Sequence, residues 1–153
     1  MTALDTDRIR DIVADRIELV VAAIAVGTLG AGLFQLVFPG VVLDIIDGDS
    51  STTPAHFFAI VGMFMALFGG LVLHSLYRDE AVALVVGWAA VQKLGASIAV
   101  GVGVARDVFG ALALAVALFD LVSFFVMAAL ARREAVGSPT TTPSPTRHER
   151  PAT

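Results

Sequence analysis

The fold is decided by two neighbouring apolar stretches, residues 81–104 (AVALVVGWAAVQKLGASIAVGVGV) and residues 109–131 (FGALALAVALFDLVSFFVMAALA). Each has the roughly 20 apolar residues that a helix needs to cross a bilayer, and each carries a single charged residue. Residues 17–38 and 57–77 form two further stretches of this kind. None of the four alternates with a period of two, so strands are not predicted. We therefore predict an all-α polytopic membrane protein, an antiparallel bundle of four transmembrane helices.

The composition of the 153-residue chain excludes several classes of protein. Apolar residues make up 57% and charged residues 16% of it, against roughly 45–50% and about 25% in soluble domains. Neither a soluble domain nor a disordered chain is therefore expected. The net charge of −4 argues against nucleic-acid binding. The absence of cysteine excludes disulfides, zinc–thiolate sites and cysteine nucleophiles.

The chain divides into three parts by composition. We predict that residues 1–16 form an amphipathic cytoplasmic lead-in, which either continues into the first span or lies on the membrane surface. The four-helix domain should cover residues 17–134. Residues 135–153 are rich in proline and have almost nothing to bury, so we predict a disordered tail.

The span ends are marked by prolines and by short links. Pro39-Gly40 should end the first span. Thr53 should cap the second span, with Pro54 at its first helical position. The second and third spans are joined by residues 78–80, and the third and fourth around residues 106–107. Such short links predict antiparallel neighbours.

Arginine is distributed unevenly between the two predicted sides of the membrane. The side with both termini and residues 78–80 carries Arg8, Arg10, Arg16, Arg78, Arg132 and Arg133. The opposite side carries only Arg106. Because cytoplasmic flanks are enriched in Lys and Arg, we predict a multi-pass plasma-membrane protein with cytoplasmic N- and C-termini.

Small residues recur at i, i+4 along each span, a pattern by which membrane helices pack closely. The rows are Ala23, Gly27, Ala31 and Gln35 on the first span, Gly62, Ala66, Gly70 and His74 on the second, and Ala89, Lys93, Ser97 and Gly101 on the third. On the fourth span, Ala113, Ala117, Asp120, Phe124 and Met127 share a face. Each of the first three rows carries a polar side chain, so we predict that the rows face the bundle interior. The alternative is that some rows arise by chance, because Ala and Gly are abundant.

Lys93 and Asp120 are predicted to lie at one height near the middle of the membrane. Lys93 is thirteen residues before Arg106, and Asp120 is thirteen residues after Asp107. A lone charge at that depth costs at least about 2.5–3.5 kcal/mol, so the two should form an ion pair or share a proton. Two interpretations stay open. The pair is either structural and fixes which helix faces which, or it lines a ligand or proton site.

Four more residues are candidates for a ligand or proton site. Gln92 and Trp88 are near Lys93 in sequence. Gln35 lies toward the outer end of the first span, and His74 lies toward the inner, cytoplasmic end of the second. With the pair they would form a polar line too sparse for a proton path without ordered water. Plain packing for Trp88 and an interfacial, capping role for His74 are the alternatives.

No motif indicates a metal, cofactor or catalytic site. His56 and His74 lie at opposite ends of one span, which disfavours haem and histidine metal sites. Residues 47–50 hint at a calcium loop, but Phe58 occupies the position of its glutamate. Phosphate loops, GxSxG and HExxH are missing from the sequence. We predict no metal, no cofactor and no catalytic residue; an enzyme is not favoured, although the question stays open.

The first span is Gly-rich and ends in FPGVVLDI (residues 38–45), and the second is rich in Gly and Phe. This pattern resembles small uncharacterised four-helix membrane proteins of prokaryotes, loosely of the DoxX type. The resemblance covers all four spans and implies the four-helix membrane fold. It implies no residue role or activity, because the glycine–lysine region of that family has no counterpart here: Lys93 lies in the third span.

Two functions remain. In the first, the chain binds or transports a lipid-like or small organic molecule, or protons, around the Lys93–Asp120 pair. In the second, it is a non-catalytic accessory or assembly subunit that packs on a larger membrane complex or on itself, with a purely structural pair. A polar cavity at the height of the pair would favour the first function. A tightly packed core with an exposed small-residue face would favour the second.

Overall fold

The computed structural model describes the backbone of residues 3–137 and the side chains of residues 16–137. Within that part every regular element is a helix, and the helices are joined by turns and short loops. The helices are α1 (Ala3–Val37), α2 (Pro39–Ile45), α3 (Thr52–Arg78), α4 (Val82–Ala105) and α5 (Ala113–Gly137). All except the short α2 are long and apolar enough to cross a membrane. The prediction of an all-helical chain with four such helices is confirmed.

α1 and α5 extend into the segments predicted as the lead-in and the tail. α1 is continuous from Ala3 to Val37, so the predicted lead-in continues into the first span. α5 runs to Gly137, so residues 135–137 are helical and not part of a disordered tail. Their helix continues because the first proline of the tail is Pro139, and nothing before it interrupts a helix. The rest of the predicted tail, residues 138–153, lies outside the described residues.

The connection between the first two spans contains a helix that was not predicted. Pro39 begins α2, because a proline in the first turn of a helix has no N–H that needs a partner. The prediction of Thr53 as the cap of the next helix is wrong, since α3 begins at Thr52 with Ser51 as its N-cap. Pro54 therefore lies in the first turn but not at the first position. A proline is tolerated throughout the first turn of a helix, so the position of Pro54 does not identify the residue at which α3 begins.

The four long helices pack as two hairpins. α1 lies against α3, and α4 against α5, along their lengths, whereas the two hairpins touch each other much less. We call α1 with α3 the first hairpin and α4 with α5 the second hairpin. In the first, Ala25 lies against Gly69 and Gln35 against Gly62. Residue numbers rise along α1 as they fall along α3, so these two helices run in opposite directions.

Three glycines allow the helices of the first hairpin to approach closely. A Cβ at Gly62 or at Gly69 would lie 2.7 Å from a backbone nitrogen of α1, and a Cβ at Gly32 would lie 2.5 Å from a backbone nitrogen of α3. No side chain fits at such distances. The contact between α1 and α3 therefore requires glycine at all three positions, as in close-packed membrane helices.

The two hairpins meet in one apolar cluster. It comprises Val21 and Ala25 of α1, Val72 of α3, Val86, Ala89 and Ala90 of α4, and Met127 and Leu130 of α5. This cluster lies toward the end of the molecule that carries the turn of residues 79–81, which we call the turn end. At the opposite end, the loop end, the Gly110 N–H donates a hydrogen bond to the Ile46 carbonyl at 2.7 Å.

Candidate functional site

Lys93 and Asp120 meet between the two helices of the second hairpin. Lys93 Nζ lies 2.6 Å from Asp120 Oδ1, a distance that indicates a charge-assisted hydrogen bond. Their side chains are only 3% and 6% exposed. Lys93 Nζ also lies 5.3 Å from the centre of the Phe119 ring, within the range of a cation–π contact.

The helical repeat explains why these two side chains point inward. Lys93 is seven residues after Val86, and Asp120 is seven residues before Met127. Seven residues are about two turns, so each polar residue shares a helix face with the apolar one. Val86 and Met127 both belong to the apolar cluster. The faces that form the cluster at the turn end therefore bring Lys93 and Asp120 together about 10 Å further along.

The pair leaves most of its hydrogen-bonding capacity unused. An ammonium group has three donors, and a carboxylate has two acceptor oxygens. Within residues 16–137, the bond between Nζ and Oδ1 is the sole hydrogen bond of either side chain. Two hydrogens of Lys93 and the second oxygen of Asp120 therefore have no partner in this part of the chain.

The four other candidate residues do not join the pair. Gln35 is buried, and its Nε2 donates a hydrogen bond to the Phe58 carbonyl at 2.8 Å. That bond ties α1 to α3 near the loop end. His74 is exposed near the end of α3, and Gln92 is half-buried without a hydrogen bond to the described residues. The predicted polar line through the bundle is therefore not formed.

Trp88 lies on the outside of α4. Its side chain is 64% exposed. It precedes Lys93 by five residues, which is about 140° around a helix, so it points outward when Lys93 faces α5. Trp88 is near Lys93 in sequence, which was the reason to predict it as a site residue, but the helical rotation places the two side chains on different faces of α4.

The three small residues of the predicted row on α1 are on the outside, whereas Gln35 at the end of that row is buried. Ala23, Gly27 and Ala31 are all exposed, and a Cβ at Gly27 would have no atom within 4 Å. α1 instead buries Val21, Ala25, Thr28, Gly32 and Gln35. An Ala- and Gly-rich helix carries small residues on several faces, so the i, i+4 pattern cannot select the buried one.

The other rows are placed inside to different extents. On α3, Gly62 is buried and Ala66 half-buried at the contact with α1, whereas a Cβ at Gly70 would meet nothing within 4 Å. On α4, Ala89 and Lys93 are buried, and Ser97 and Gly101 are half-buried. On α5, the buried residues are Ala113, Ala117, Asp120, Ser123, Met127 and Leu130.

Three buried hydroxyl groups were not singled out from the sequence. Ser75 Oγ donates a hydrogen bond to the Glu80 carbonyl, and Ser123 Oγ to the Phe119 carbonyl, each at 2.7 Å. Thr28 is 4% exposed, and its Oγ1 has no partner among the described residues. A seven-residue spacing of Val21, Thr28 and Gln35 was the signal that would have placed Thr28 on the buried face.

Among the surface grooves on the described part of the chain are four that are lined by neither Lys93 nor Asp120. The largest has a volume of about 280 Å³ and lies between Glu18, Leu19, Ala22 and Leu76. A second, of about 210 Å³, lies beside Trp88 on the outside of α4. Within the described residues, no three His, Asp or Glu residues are grouped so as to hold a metal ion.

No residue role or activity at this site can be assigned from similarity to a known protein. No family model, curated protein or solved structure matches the chain. The resemblance to DoxX-type proteins therefore stays a prediction from the sequence.

Proposed function

We propose that the chain is a non-catalytic subunit that spans the membrane as an antiparallel four-helix bundle and assembles laterally through the outer face of α1. The four long apolar helices support the spanning bundle. The uneven arginine distribution supports plasma-membrane insertion with cytoplasmic termini. The partner in this proposal is another membrane helix, from a second copy or from a larger complex.

One observation carries this proposal: the exposed row of Ala23, Gly27 and Ala31. Inside the first hairpin, Gly32 and Gly62 show that small residues let the helix backbones touch. The exposed row has the i, i+4 spacing of small residues at which membrane helices pack closely, and the space above Gly27 is open. It therefore offers a second helix the same close approach.

In this proposal the Lys93–Asp120 pair is structural. Both side chains are almost completely buried, and none of the four grooves leads to them. A buried ion pair selects which helix faces pack together, even where it adds little net stability. The pair would thus fix how α4 meets α5.

A proton or ligand site at the pair is the second candidate function. Its support is the unused hydrogen-bonding capacity of the pair, because ionisable residues within a membrane are often functional. Protons fit this site better than a lipid-like molecule, which would need an opening larger than a buried pair leaves. If this candidate is correct, the double variant Lys93→Met with Asp120→Leu should lose the proton or ligand binding that the parent protein shows. If the pair is structural, the double variant should behave like the parent in the same binding measurement.

Cysteine crosslinking tests the assembly face, because the natural chain has no cysteine. Ala31→Cys places a single thiol on the exposed row. Gly95→Cys is the matched control, since Gly95 also faces open space but lies on α4. In membranes of the source cell, a bifunctional thiol or thiol–amine reagent should crosslink Ala31→Cys, and not Gly95→Cys, to a product of defined mass.

The mass of the crosslinked product identifies the partner. Twice the mass of the chain indicates a homo-oligomer, and any other defined mass indicates a larger membrane complex. Adding Gly27→Leu to Ala31→Cys should abolish the product, because a leucine prevents close helix approach. Equal crosslinking of both thiols, or none at Ala31→Cys, would contradict the proposal.

A further inference from the structure

Thr28 is an exception among the buried hydroxyl groups. Ser75 and Ser123 each donate a hydrogen bond to a backbone carbonyl. Thr28 Oγ1 is buried and has no partner among the described residues. Buried polar groups in proteins nearly always have a partner, which is often an ordered water molecule.

The side of α1 that carries Thr28 faces the second hairpin. Val21, Thr28 and Gln35 are spaced by seven residues, so they form one stripe along α1. Val21 is completely buried in the cluster that both hairpins share. The close contact with α3 is centred on the neighbouring Ala25, Leu29 and Gly32, and Gln35, at the loop end of the stripe, also bonds to α3. At Val21 and Thr28 the stripe is therefore turned away from the centre of that contact and toward α5, the helix of the second hairpin that α1 contacts.

Thr28 lies at the level of the Lys93–Asp120 pair. Thr28 follows Val21, Lys93 follows Val86, and Asp120 precedes Met127, each by seven residues. All three steps lead toward the loop end, because α1 and α4 run toward that end and α5 runs away from it. A step of two helical turns returns to the same helix face and moves about 10 Å along the helix axis. The apolar level of Val21, Val86 and Met127 is thus followed by a polar level of Thr28, Lys93 and Asp120.

The hydrogen-bonding groups of Thr28 complement those of the Lys93–Asp120 pair. No direct hydrogen bond joins Thr28 Oγ1 to either partner. Two Lys93 hydrogens and the second Asp120 oxygen have no partner among the described residues. An internal water needs two to four polar partners, and these groups supply that number. The sparse contact between the hairpins is where such a molecule would lie.

We propose that Thr28 and the Lys93–Asp120 pair bind an internal water molecule that joins the two hairpins. Thr28 Oγ1 holds the water from α1, and the free donors or the free oxygen of the pair hold it from the second hairpin. The water adds a hydrogen-bonded link to the apolar contact one level away. This site is independent of the assembly face of α1.

A double-mutant cycle tests the link between Thr28 and the pair. Thr28→Val keeps the shape and removes the hydroxyl, and Thr28→Ser is the control that keeps it. Unfolding by SDS in mixed micelles gives the equilibrium constant. Thr28→Val should raise the unfolding constant about fivefold, as expected for one net hydrogen bond. It should change nothing in the Lys93→Met, Asp120→Leu background, where the other partners of the water are gone.

Two outcomes of the cycle would overturn the proposal. An equal effect of Thr28→Val in both backgrounds would mean that the hydroxyl bonds to a carbonyl of its own helix. No effect, or a stabilising effect, in the parent would mean that the hydroxyl has no partner at all.

Solid-state NMR gives a second measurement that does not depend on the double variant folding. Magnetisation transfer from water protons in deuterated lipid should reach the Asp120 carboxyl carbon in the parent. The transfer should fall in Thr28→Val, and the methyl groups of Val86 and Met127, at the apolar level, serve as dry controls. Absence of transfer to Asp120, or transfer that Thr28→Val leaves unchanged, would reject the water site.

Discussion

Lys93 Nζ and Asp120 Oδ1 lie 2.6 Å apart, although the two residues are separated by 27 positions in the sequence. Both belong to the second hairpin, so their bond joins α4 to α5 and not one hairpin to the other. The pair therefore contributes to the contact between α4 and α5. The two hairpins contact each other through the separate apolar cluster around Val21 and Met127, and the hydrogen bond from Gly110 to Ile46 joins them at the loop end.

Removing one partner of the pair should destabilise the fold. Lys93→Met leaves a buried carboxyl group, and Asp120→Leu leaves a buried amine, and we expect each to lower the free energy of unfolding by about 3–5 kcal/mol. The double variant removes both groups, so stability should recover in part or in full. SDS unfolding in mixed micelles measures all three variants. Single variants as stable as the parent would show that the bond does not contribute to folding.

Two adjacent glycines of α3 should respond in opposite ways to the same substitution. A Cβ at Gly69 would lie 2.7 Å from a backbone nitrogen of α1, whereas a Cβ at Gly70 would meet nothing within 4 Å. Gly69→Ala should therefore lower the free energy of unfolding by about 1–3 kcal/mol through overpacking. Gly70→Ala should leave it unchanged or raise it by up to about 1 kcal/mol, because alanine favours helix. SDS unfolding in mixed micelles measures both variants. An equal change in the free energy of unfolding at both positions would contradict the packing of the first hairpin.

We expect the membrane topology to follow the arginine distribution. Reporter fusions at Asp49 and after Gly137, where α5 ends, should report opposite sides of the membrane, with the second in the cytoplasm. A phosphatase reporter that is active outside and a fluorescent reporter that is active inside provide complementary readouts. If both fusions report the same side, the chain does not cross the membrane three times between them.

The pKa of Asp49 should be low and should depend on Ser51. The Ser51 N–H donates a hydrogen bond to Asp49 Oδ1 at 2.9 Å. This bond, and next the bond from the Ser51 hydroxyl, lower the pKa of Asp49 below its ordinary value. A lowered folded-state pKa gives a stabilising contribution that is present above the ordinary pKa and is lost as the pH falls through the folded-state pKa.

Substitutions of Ser51 separate the two hydrogen bonds. Ser51→Ala removes the hydroxyl and should raise the pKa of Asp49 slightly. Ser51→Pro removes the N–H as well, and the φ of −62° at this residue is compatible with proline, so the pKa should return to its ordinary value. NMR titration of the Asp49 carboxyl carbon measures each midpoint. The same midpoint in the parent and both variants would show that Ser51 does not set it.

The sequence predicted the number of long helices and the partnership of Lys93 with Asp120. Hydropathy over a span depends only on local composition, so four apolar stretches predicted four long helices directly. The heights of Lys93 and Asp120 follow from counting residues on either side of a short link, because helical rise is constant. Their burial follows from the cost of a charge in an apolar environment. These properties do not require knowledge of the other hairpin.

Only the tertiary structure decided which faces are buried and which residues meet across helices. Small residues are on several faces of α1, and the choice of Gly32 over Gly27 as the contact depends on where Gly62 of α3 lies. Trp88 was misplaced and Thr28 overlooked for the same reason. An α-helix makes one turn every 3.6 residues, so the sequence determines which residues share a helix face. The face that turns inward is set by packing against the other helices, which no single span encodes.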